Sequence, residues 1–408
     1  MLAATRLSFY ALESPEIRER EIAVARLSGE LAGRLPPSTR SALAQCLAGI
    51  NSYYSNLIEG QSTRPIEAER ALKRSLAERQ SGRAGRADEL ATLAVAHIET
   101  ERWMRQRLRD EPALDLAGRG FICELHRHFV SQLPESLRIV TGHEGGAETA
   151  VNQPGELRTR QVDVGAHLAP PPEALPDLLD AYADAWKRLP KTPAHILLAH
   201  HRFAWIHPFL DGNGRIARLL TTAMLSRHGF EADGLWSLSR GLAKRRSRYY
   251  EALALADTPR EGDFDGRGAL SLKNAVRFAD FMLDTCEDQI GFMAARLQIE
   301  HVKDRVLRFC AERRLVTDHD ERAAPLLIEA MFMGRLERGA ASRLLGLGER
   351  AARNVVSECV ADGLLTATSS RADLLPAFPV YAAAYLFPNL FEIDDPQEAM
   401  RQTLSIEP

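Results

Sequence analysis

The segment from His207 to Arg218, with the sequence HPFLDGNGRIAR, holds residue types that could carry out chemistry on a phosphate. The imidazole of His207 can accept a proton near neutral pH. The carboxylate of Asp211 offers a hard oxygen ligand, which suits Mg²⁺. Because both groups lie in one short segment, we expect proton abstraction beside a metal-bound phosphate.

The glycines of this segment predict a phosphate-binding loop. Gly212 and Gly214 flank Asn213, where a new helix is expected to begin, and the first N–H groups of a helix are unpaired and lie at its positive end. Arg215 and Arg218 are three residues apart, so they share one helix face and can reach the same anion. A histidine before proline or a run of Asp-Gly-Asn-Gly is, alone, usually structural. Their combination with two arginines predicts a functional site.

Helices are expected to position the segment. A helix that begins at Pro193 should end before Pro208, because a residue that precedes proline is pushed out of the helical region. The next helix begins near Asn213. Residues 141–172 are rich in glycine and proline, which predicts a loop with one short hairpin. The sequence therefore predicts a mainly helical protein with a loop between two helices as its site.

Bulk properties exclude several classes of protein. A chain of 408 residues suggests two or three domains, and its formal charge of −3 gives no overall attraction to nucleic acid or membrane. The five cysteines form no C-x-x-C pair, which argues against a zinc site or a disulfide framework and fits a reducing compartment. No run approaches the ~18 apolar residues of a membrane span, so we expect a cytoplasmic protein without a membrane partner. The P-loop motif of nucleotidases is missing from the sequence.

The last hundred residues predict a separate unit of three short helices followed by strands. The predicted helices are Pro325–Phe332, Ala340–Leu345 and Glu349–Ala361, and the predicted strands include Ala377–Tyr381. This order is typical of a winged helix. Arg350, Arg353 and Asn354 would lie at the start of a recognition helix, where base contacts are usually made. Winged helices also dock proteins, so DNA and protein both remain candidate partners.

The segment from 207 to 218 resembles the signature of the Fic family and matches it at every defined position. The resemblance extends over about residues 40–260 and implies an all-helical core that transfers AMP from ATP to a Ser, Thr or Tyr hydroxyl of a target protein. His207 would be the general base, Asp211 would hold Mg²⁺ on the phosphates, and Arg218 would hold the γ-phosphate. The resemblance assigns the other phosphate contacts to Gly212, Asn213, Gly214 and Arg215.

Two further stretches resemble parts of this family. One resembles the flap hairpin over the active site, whose edge can dock the target backbone as an added strand. The residues expected to dock the target are Arg158, Val162, Asp163 and Val164. Tyr249 and Tyr250 resemble the element that contacts the nucleoside, and packing in the helical core is the alternative for both.

The stretch from Ser55 to Gly60 resembles the inhibitory motif of the family. Apolar residues at three- and four-residue steps from Leu43 to Leu57 predict a helix that ends at Gly60. Glu59 at the end of this helix can pair with Arg218 and remove the cation that the γ-phosphate needs. The same glutamate could position a water that removes AMP, so a de-AMPylating activity is an alternative.

Together these observations predict a mainly α protein with three parts. They are an N-terminal helical region with the inhibitory helix (1–110), a Fic catalytic core with a small flap hairpin (111–300) and a winged-helix domain (301–408). The predicted function is an autoinhibited protein adenylyltransferase that uses Mg²⁺ and ATP on a target protein, which could be the chain itself. A homodimer is compatible with the family. The alternative is a nucleotide-sensing, DNA-binding regulator with little turnover.

Overall fold

The computed structural model describes residues 12, 14–61, 63–81, 89–141, 149–164 and 167–404. Five helices come first: α1 (Pro15–Ala32), α2 (Pro37–Ile58), α3 (Pro65–Ser81), α4 (Glu89–Asp110) and α5 (Arg119–Val130). Four short strands follow: β1 (Ile139–Thr141), β2 (Thr149–Val151), β3 (Asp163–Val164) and β4 (His167–Leu168). The next helices are α6 (Leu175–Arg188), α7 (Pro193–Ile206), α8 (Asn213–Arg227), α9 (Leu238–Lys244), α10 (Arg246–Ala256) and α11 (Leu272–Arg296). The last elements are α12 (Ile299–Thr317), α13 (Ala324–Met333), α14 (Ala341–Leu345), α15 (Glu349–Ala361), β5 (Leu365–Thr366), β6 (Leu375–Pro376), α16 (Val380–Leu386) and α17 (Pro396–Leu404). The predicted mainly helical class is confirmed.

The central helix of the fold is α7, which is apolar on nearly all of its faces and buried along most of its length. Thr192 begins it as the N-cap, with its side chain accepting a hydrogen bond from the backbone N–H of His195, and Pro193 occupies the first turn. Helices α1, α6, α8 and α11 pack around α7. A helix that is hydrophobic all round has to be enclosed in this way. The loop that follows α7 is consequently held against a rigid core.

Helix α2 begins and ends where its sequence pattern indicates. Pro37 lies in its first turn, and Gly60 follows its end with a φ of 80°, a conformation that glycine adopts without strain. The helix packs against α4 and α9 and also contacts α8 and α13. It therefore lies between the helix that opens the candidate site and the C-terminal part of the chain.

The strands form three separate two-stranded antiparallel hairpins. The predicted flap hairpin is present as β3 and β4, with Asp163 opposite Leu168 and Val164 opposite His167. The pair β1–β2 was not expected, because only one hairpin is predicted before residue 172. Ile139 and Val151 pair across it, and both are largely exposed.

Near the C-terminus, α13, α14 and α15 match the three predicted helices to within one residue at each end. The prediction of a strand at Ala377–Tyr381 is wrong. Residues 377–379 have no regular structure, and α16 begins at Val380 behind Pro379. A short apolar run does not by itself distinguish a strand from a buried helix, and the alanines that follow favour the helix.

The larger of two clusters of buried apolar side chains runs from Leu12 to Met400 among the described residues. Hydrogen bonds also join α2 to the last hundred residues: the Tyr54 hydroxyl donates to the Leu390 carbonyl (3.1 Å), and the Thr39 hydroxyl donates to the Met331 carbonyl (2.7 Å). The three predicted domain boundaries stay a prediction. Within the described ranges, no helix has the length and apolar character needed to cross a bilayer.

Candidate active site

Three residues set the conformation of the loop between α7 and α8: His207, Gly212 and Asn213. His207 ends α7 in the left-handed conformation, with φ 50° and ψ 60°. Asn213 closes the loop, because its Oδ1 accepts from the Phe209 N–H (2.9 Å) and its Nδ2 donates to the Phe209 carbonyl (2.7 Å). Gly212 precedes α8 with φ 87°. The first N–H groups of α8 thus lie at the mouth of this loop, as a phosphate site requires.

Buried histidine and aromatic side chains support this loop from behind. The ring of His126 stacks on Phe209 with centroids 3.7 Å apart. The Nε2 of His126 lies 3.1 Å from the Asp211 carbonyl, and its Nδ1 accepts from the Gly155 N–H at 2.9 Å. Burial lowers the pKa of His126 to about 4, which keeps the ring neutral and able to accept that bond. This supporting role was not expected, since the sequence around His126 indicates only a packed helix face.

Arg218 is 2% exposed and is hydrogen-bonded by the last turn of α2 and by the residue that follows this helix. Its Nε donates to the Ser55 hydroxyl (2.9 Å), and its Nη2 donates to the Ser55 carbonyl (2.9 Å) and to Glu59 Oε1 (2.6 Å). The pKa of Glu59 is lowered: burial opposes ionisation, but the charges of Arg218 and Arg215, with the hydrogen bond from Arg218, together outweigh it. Glu59 and Arg218 therefore form an ionised pair at the N-terminal turn of α8.

The Glu59 carboxylate also lies directly over the glycine of the loop. A Cβ atom at Gly214 would overlap Glu59 Oε1 and would be 3.2 Å from Nη1 of Arg218. Position 214 has therefore no room for a side chain while Glu59 is in place. The carboxylate occupies space beside the N–H groups that an anion would use.

Arg215 is held by the same segment, a contact that sequence reasoning missed. It is 4% exposed, its Nε donates to Asn56 Oδ1 (2.9 Å), and its Nη2 donates to Gln61 Oε1. Both arginines of the predicted anion site are thus neutralised or hydrogen-bonded by residues 55–61. One feature of the sequence pointed to this contact: Asn56 lies one turn before Gly60.

His207 is half-buried and neutral. Its pKa is lowered to about 4, first by burial and then by the positive charge of Arg158. A neutral imidazole at pH 7 can accept a proton from a hydroxyl group. The structure thus gives His207 the protonation state of a general base.

Arg158 differs from the expectation that it docks a target. Its side chain is buried, and its Nε donates to the carbonyl of His207 (2.8 Å) and its Nη2 to that of Pro170. Its backbone N–H donates to the Pro208 carbonyl (3.0 Å). Arg158 thus binds the loop on both sides of the histidine. Docking of a target at this edge of the flap stays a prediction. Val162 is half-buried, and the backbone of Asp163 and Val164 pairs with β4.

A second anchor joins the flap to α7. Nδ1 of His167 lies 3.2 Å from Asp257 Oδ2, and its Nε2 lies 2.9 Å from the Trp205 carbonyl. Asp257 also binds Nε2 of His201 at 2.9 Å. Both neighbours of the His167 ring are acceptors, so the ring donates from both nitrogens as an imidazolium. Its pKa is raised, because the hydrogen bond and charge of Asp257 outweigh burial.

The two tyrosines have different places. Tyr249 is 2% exposed, and its hydroxyl lies 2.7 Å from Nε2 of His200, which favours the alternative of packing in the helical core. Contact of Tyr249 with the nucleotide stays a prediction. Adjacent residues on a helix face different directions, and only Tyr250 points outward. Tyr250 is 42% exposed, and its hydroxyl donates to the carbonyl of Ile58 (2.9 Å). Tyr250 therefore holds the end of α2 through this hydrogen bond.

Asp211 has an exposed side chain beside the loop, while its backbone carbonyl accepts from Asn152 Nδ2 at 3.3 Å. The described residues contain no group of three or more His, Cys, Asp or Glu side chains that could hold a metal by themselves. Mg²⁺ commonly binds through one carboxylate together with substrate phosphates. One exposed carboxylate next to a phosphate cradle fits that mode.

Comparisons with known proteins agree with this geometry. Residues 117–225 match the model of the Fic/DOC family. The chain is 35% identical over 138 residues to the protein adenylyltransferase Fic of Drosophila willistoni, which is 33% of this chain and 25% of that protein. It is 39% identical over 107 residues to the protein adenylyltransferase Fic of Nematostella vectensis, which is 25% of this chain and 23% of that protein. The chain spans about a quarter of the length of these relatives.

The crystal structure of a Fic family protein from Desulfovibrio desulfuricans G20 has a similar fold. The TM-score is 0.52 at 18% identity, and the match covers 91% of this chain and 98% of that one. This likeness concerns the fold alone. The match to the family model shows that residues 117–225 form a Fic/DOC-family domain.

Proposed function

We propose that this protein is a protein adenylyltransferase, which transfers AMP from Mg·ATP to a Ser, Thr or Tyr hydroxyl of a protein. The observation that carries the proposal is a neutral histidine, His207, beside a glycine loop and two buried arginines at the start of α8. The names of its curated relatives support the same reaction. The target could be another protein or a second copy of this chain.

In the proposed reaction, His207 accepts the proton of the target hydroxyl. The hydroxyl oxygen then forms a bond to the α-phosphorus of ATP, and the bond from that phosphorus to the bridging oxygen of the β-phosphate breaks. Pyrophosphate leaves, and AMP stays on the target as a phosphodiester. The N–H groups of Gly212, Asn213 and Gly214 would bind the phosphate oxygens, since anions bind at helix N-termini. Asp211 would help to hold Mg²⁺, which neutralises phosphate charge when bound.

The arginines would act on the outer phosphates. Arg215 would contact the phosphates, and Arg218 would hold the γ-phosphate. In the described conformation Arg218 binds Glu59 and Ser55, and Glu59 lies over Gly214. A γ-phosphate and the Glu59 carboxylate are both acceptors for the same guanidinium, so they compete. We therefore propose that α2 holds the enzyme in an autoinhibited state.

Intact-mass analysis tests the transferase proposal. The Glu59→Gly protein is incubated with Mg·ATP alone and with a bacterial cell extract, and both the protein and the extract proteins are weighed. We expect a gain of one AMP moiety on at least one of them, and no gain with the matched Glu59→Gly/His207→Ala protein. Absence of any AMP adduct would instead favour a protein that senses nucleotide with little turnover.

The position of Glu59 also favours a reverse reaction. Its ionised carboxylate lies beside the loop where the α-phosphate would bind, and it could accept a proton from a water that attacks this phosphate. Wild-type protein would then remove AMP from a labelled target. Loss of AMP at the same rate with wild type and Glu59→Gly would end this second proposal.

A further inference from the structure

We propose that the C-terminal unit, residues 324–376, binds duplex DNA through the outer face of α15 and the adjoining hairpin. The backbone topology is the first reason. Helices α13, α14 and α15 are followed by β5 and β6, and a single bridge between Leu336 and Leu374 adds the segment before α14 to the edge of this hairpin. Three helices followed by a hairpin with one further bridged segment are the arrangement of a winged helix. In a winged helix that binds DNA, the third helix enters the major groove.

The orientation of α15 is the second reason. One of its faces is buried by Ala352, Val355, Val356 and Cys359, which pack toward the rest of the unit. The opposite face carries Arg350, Arg353, Asn354 and Ser357, all exposed. Helices α16 and α17 pack on α12 and α3 and leave this face uncovered. Arginine and asparagine are the residues that most often read guanine and adenine edges in the major groove.

The turn between α14 and α15 is short, as a helix-turn-helix requires. Gly346 ends α14 with φ 64°, and the Leu347 N–H donates back to the Ser342 carbonyl (3.1 Å). Only three residues separate the two helices. The start of α15 is therefore held at a fixed angle to α14, with its first turn projecting outward.

The local charge around α15 is the third reason and favours DNA over a protein partner. Arg343 before the turn, Arg350 on α15 and Arg371 at the tip of the hairpin are exposed, and no carboxylate of the described ranges forms an ion pair with them. Arg353 is 76% exposed; its Nη2 lies 3.5 Å from the Glu349 carboxylate, and its Nε donates to the Glu349 carbonyl (3.3 Å). Four exposed arginines thus lie on α15, before its turn and on the hairpin. Helix α15 itself carries two acidic side chains, Glu349 beside Arg353 and Glu358, which accepts from the Asp320 N–H (3.0 Å). This local arrangement of cations matches a phosphate backbone better than an apolar protein surface.

This inference concerns a surface remote from the phosphate loop, so it can fail while the transferase proposal holds. The test uses the full chain without ATP and a fluorescein-labelled random duplex of roughly 30 base pairs, with protein up to about 100 µM. We expect an increase in fluorescence polarisation. The affinity should fall roughly 100-fold between about 50 and 200 mM salt, as four phosphate contacts predict.

Two matched double variants locate the surface. Arg350→Ala/Arg353→Ala should weaken binding about tenfold or more and reduce the salt slope by about two. Arg26→Ala/Arg401→Ala removes two exposed arginines from α1 and α17 and should leave binding unchanged. No binding at low salt, or equal losses in the two variants, would overturn the proposal. The first of these results would point to a protein partner for the unit.

Discussion

Replacing Glu59 by glutamine should release Arg218 for the γ-phosphate. Glutamine keeps the size of the side chain and removes its charge, so the helix end and the loop are unchanged while the ionised pair is lost. The pair joins Nη2 of Arg218 to Oε1 of Glu59 at 2.6 Å. The two hydrogen bonds from Arg218 to Ser55 would remain and would keep the guanidinium in place. We therefore expect a change in competition for Arg218 and little change in folding.

The expected gain in kcat/KM can be worked out from the contact between Glu59 and Arg218. A hydrogen bond between charged groups contributes about 1.5–3 kcal/mol. Because the Glu59 side chain is 29% exposed, solvent screens part of this energy, and we take the lower part, about 1.5–2 kcal/mol. At 1.36 kcal/mol for each factor of ten, this energy corresponds to roughly a 10- to 30-fold gain in kcat/KM for ATP. Glu59→Gly, which also uncovers Gly214, should gain at least as much.

The assay compares initial rates of AMP incorporation at several ATP concentrations, with wild type beside each variant. Glu30→Gln is the matched control, since Glu30 also pairs with an arginine at 2.6 Å but lies on the surface of α1. This control should have the wild-type rate. Ser55→Ala, which removes one of the bonds to Arg218, should give a smaller gain than Glu59→Gln. Equal rates for wild type and Glu59→Gln would refute the competition between Glu59 and phosphate.

Three further predictions concern the groups around the histidine. Arg158→Gln removes the cation that helps to lower the pKa of His207, so this pKa should rise and the acid limb of the pH–rate profile should move to higher pH; an unmoved limb would contradict this role. His167→Gln should lower stability by roughly 1–2 kcal/mol at pH 6. Since the pKa of His167 is raised on folding, its contribution is complete below the unfolded value of about 6.5 and is lost as pH rises through the folded value, so melting curves of variant and wild type should converge toward pH 9. In the Asp257→Asn background, which lacks the carboxylate that raises the pKa of His167, His167→Gln should change stability with a weaker dependence on pH. Tyr249→Phe should keep AMP transfer within about twofold and cost about 1 kcal/mol in urea unfolding, and a large rise in KM for ATP would support its nucleotide role.

The sequence was most informative where a backbone feature and a periodic pattern coincide. The end of α7 before Pro208, the start of α8 at Asn213 and the limits of α2 all follow from proline, glycine and apolar spacing. These are local rules, because each depends on residues within one or two turns. The phosphate loop could therefore be predicted from a dozen residues.

Contacts between distant segments could not be predicted in this way. Asn56 and Gln61 bind Arg215 across more than 150 positions of the chain, and nothing in either segment specifies the partner. The bond from His167 to Asp257 is of the same kind. Arg158 illustrates a further limit: a motif gives its position in the flap but not the direction of its side chain, which is set by the carbonyls packed around it.

The tyrosine pair and the predicted strand near the C-terminus show that residue type alone does not determine burial or secondary structure. Tyr249 and Tyr250 are equivalent by residue type, and the packing of α10 alone decides that one is buried and the other is exposed. The run Ala377–Tyr381 is apolar in a strand or in a buried helix alike, and its docking beside α12 and α3 settles the matter in favour of α16. Both outcomes depend on tertiary packing rather than on local preference.

The most direct measurement follows the α-phosphorus and the γ-phosphorus of ATP separately. Glu59→Gly protein is incubated with its target, or alone if it modifies itself, and with ATP labelled at either the α- or the γ-phosphorus. The proposed reaction places the α-label on protein, leaves the γ-label in free pyrophosphate, and requires His207, so that the Glu59→Gly/His207→Ala protein incorporates neither. Incorporation of the γ-label, or α-label that persists without the imidazole, would contradict the assignment of this site.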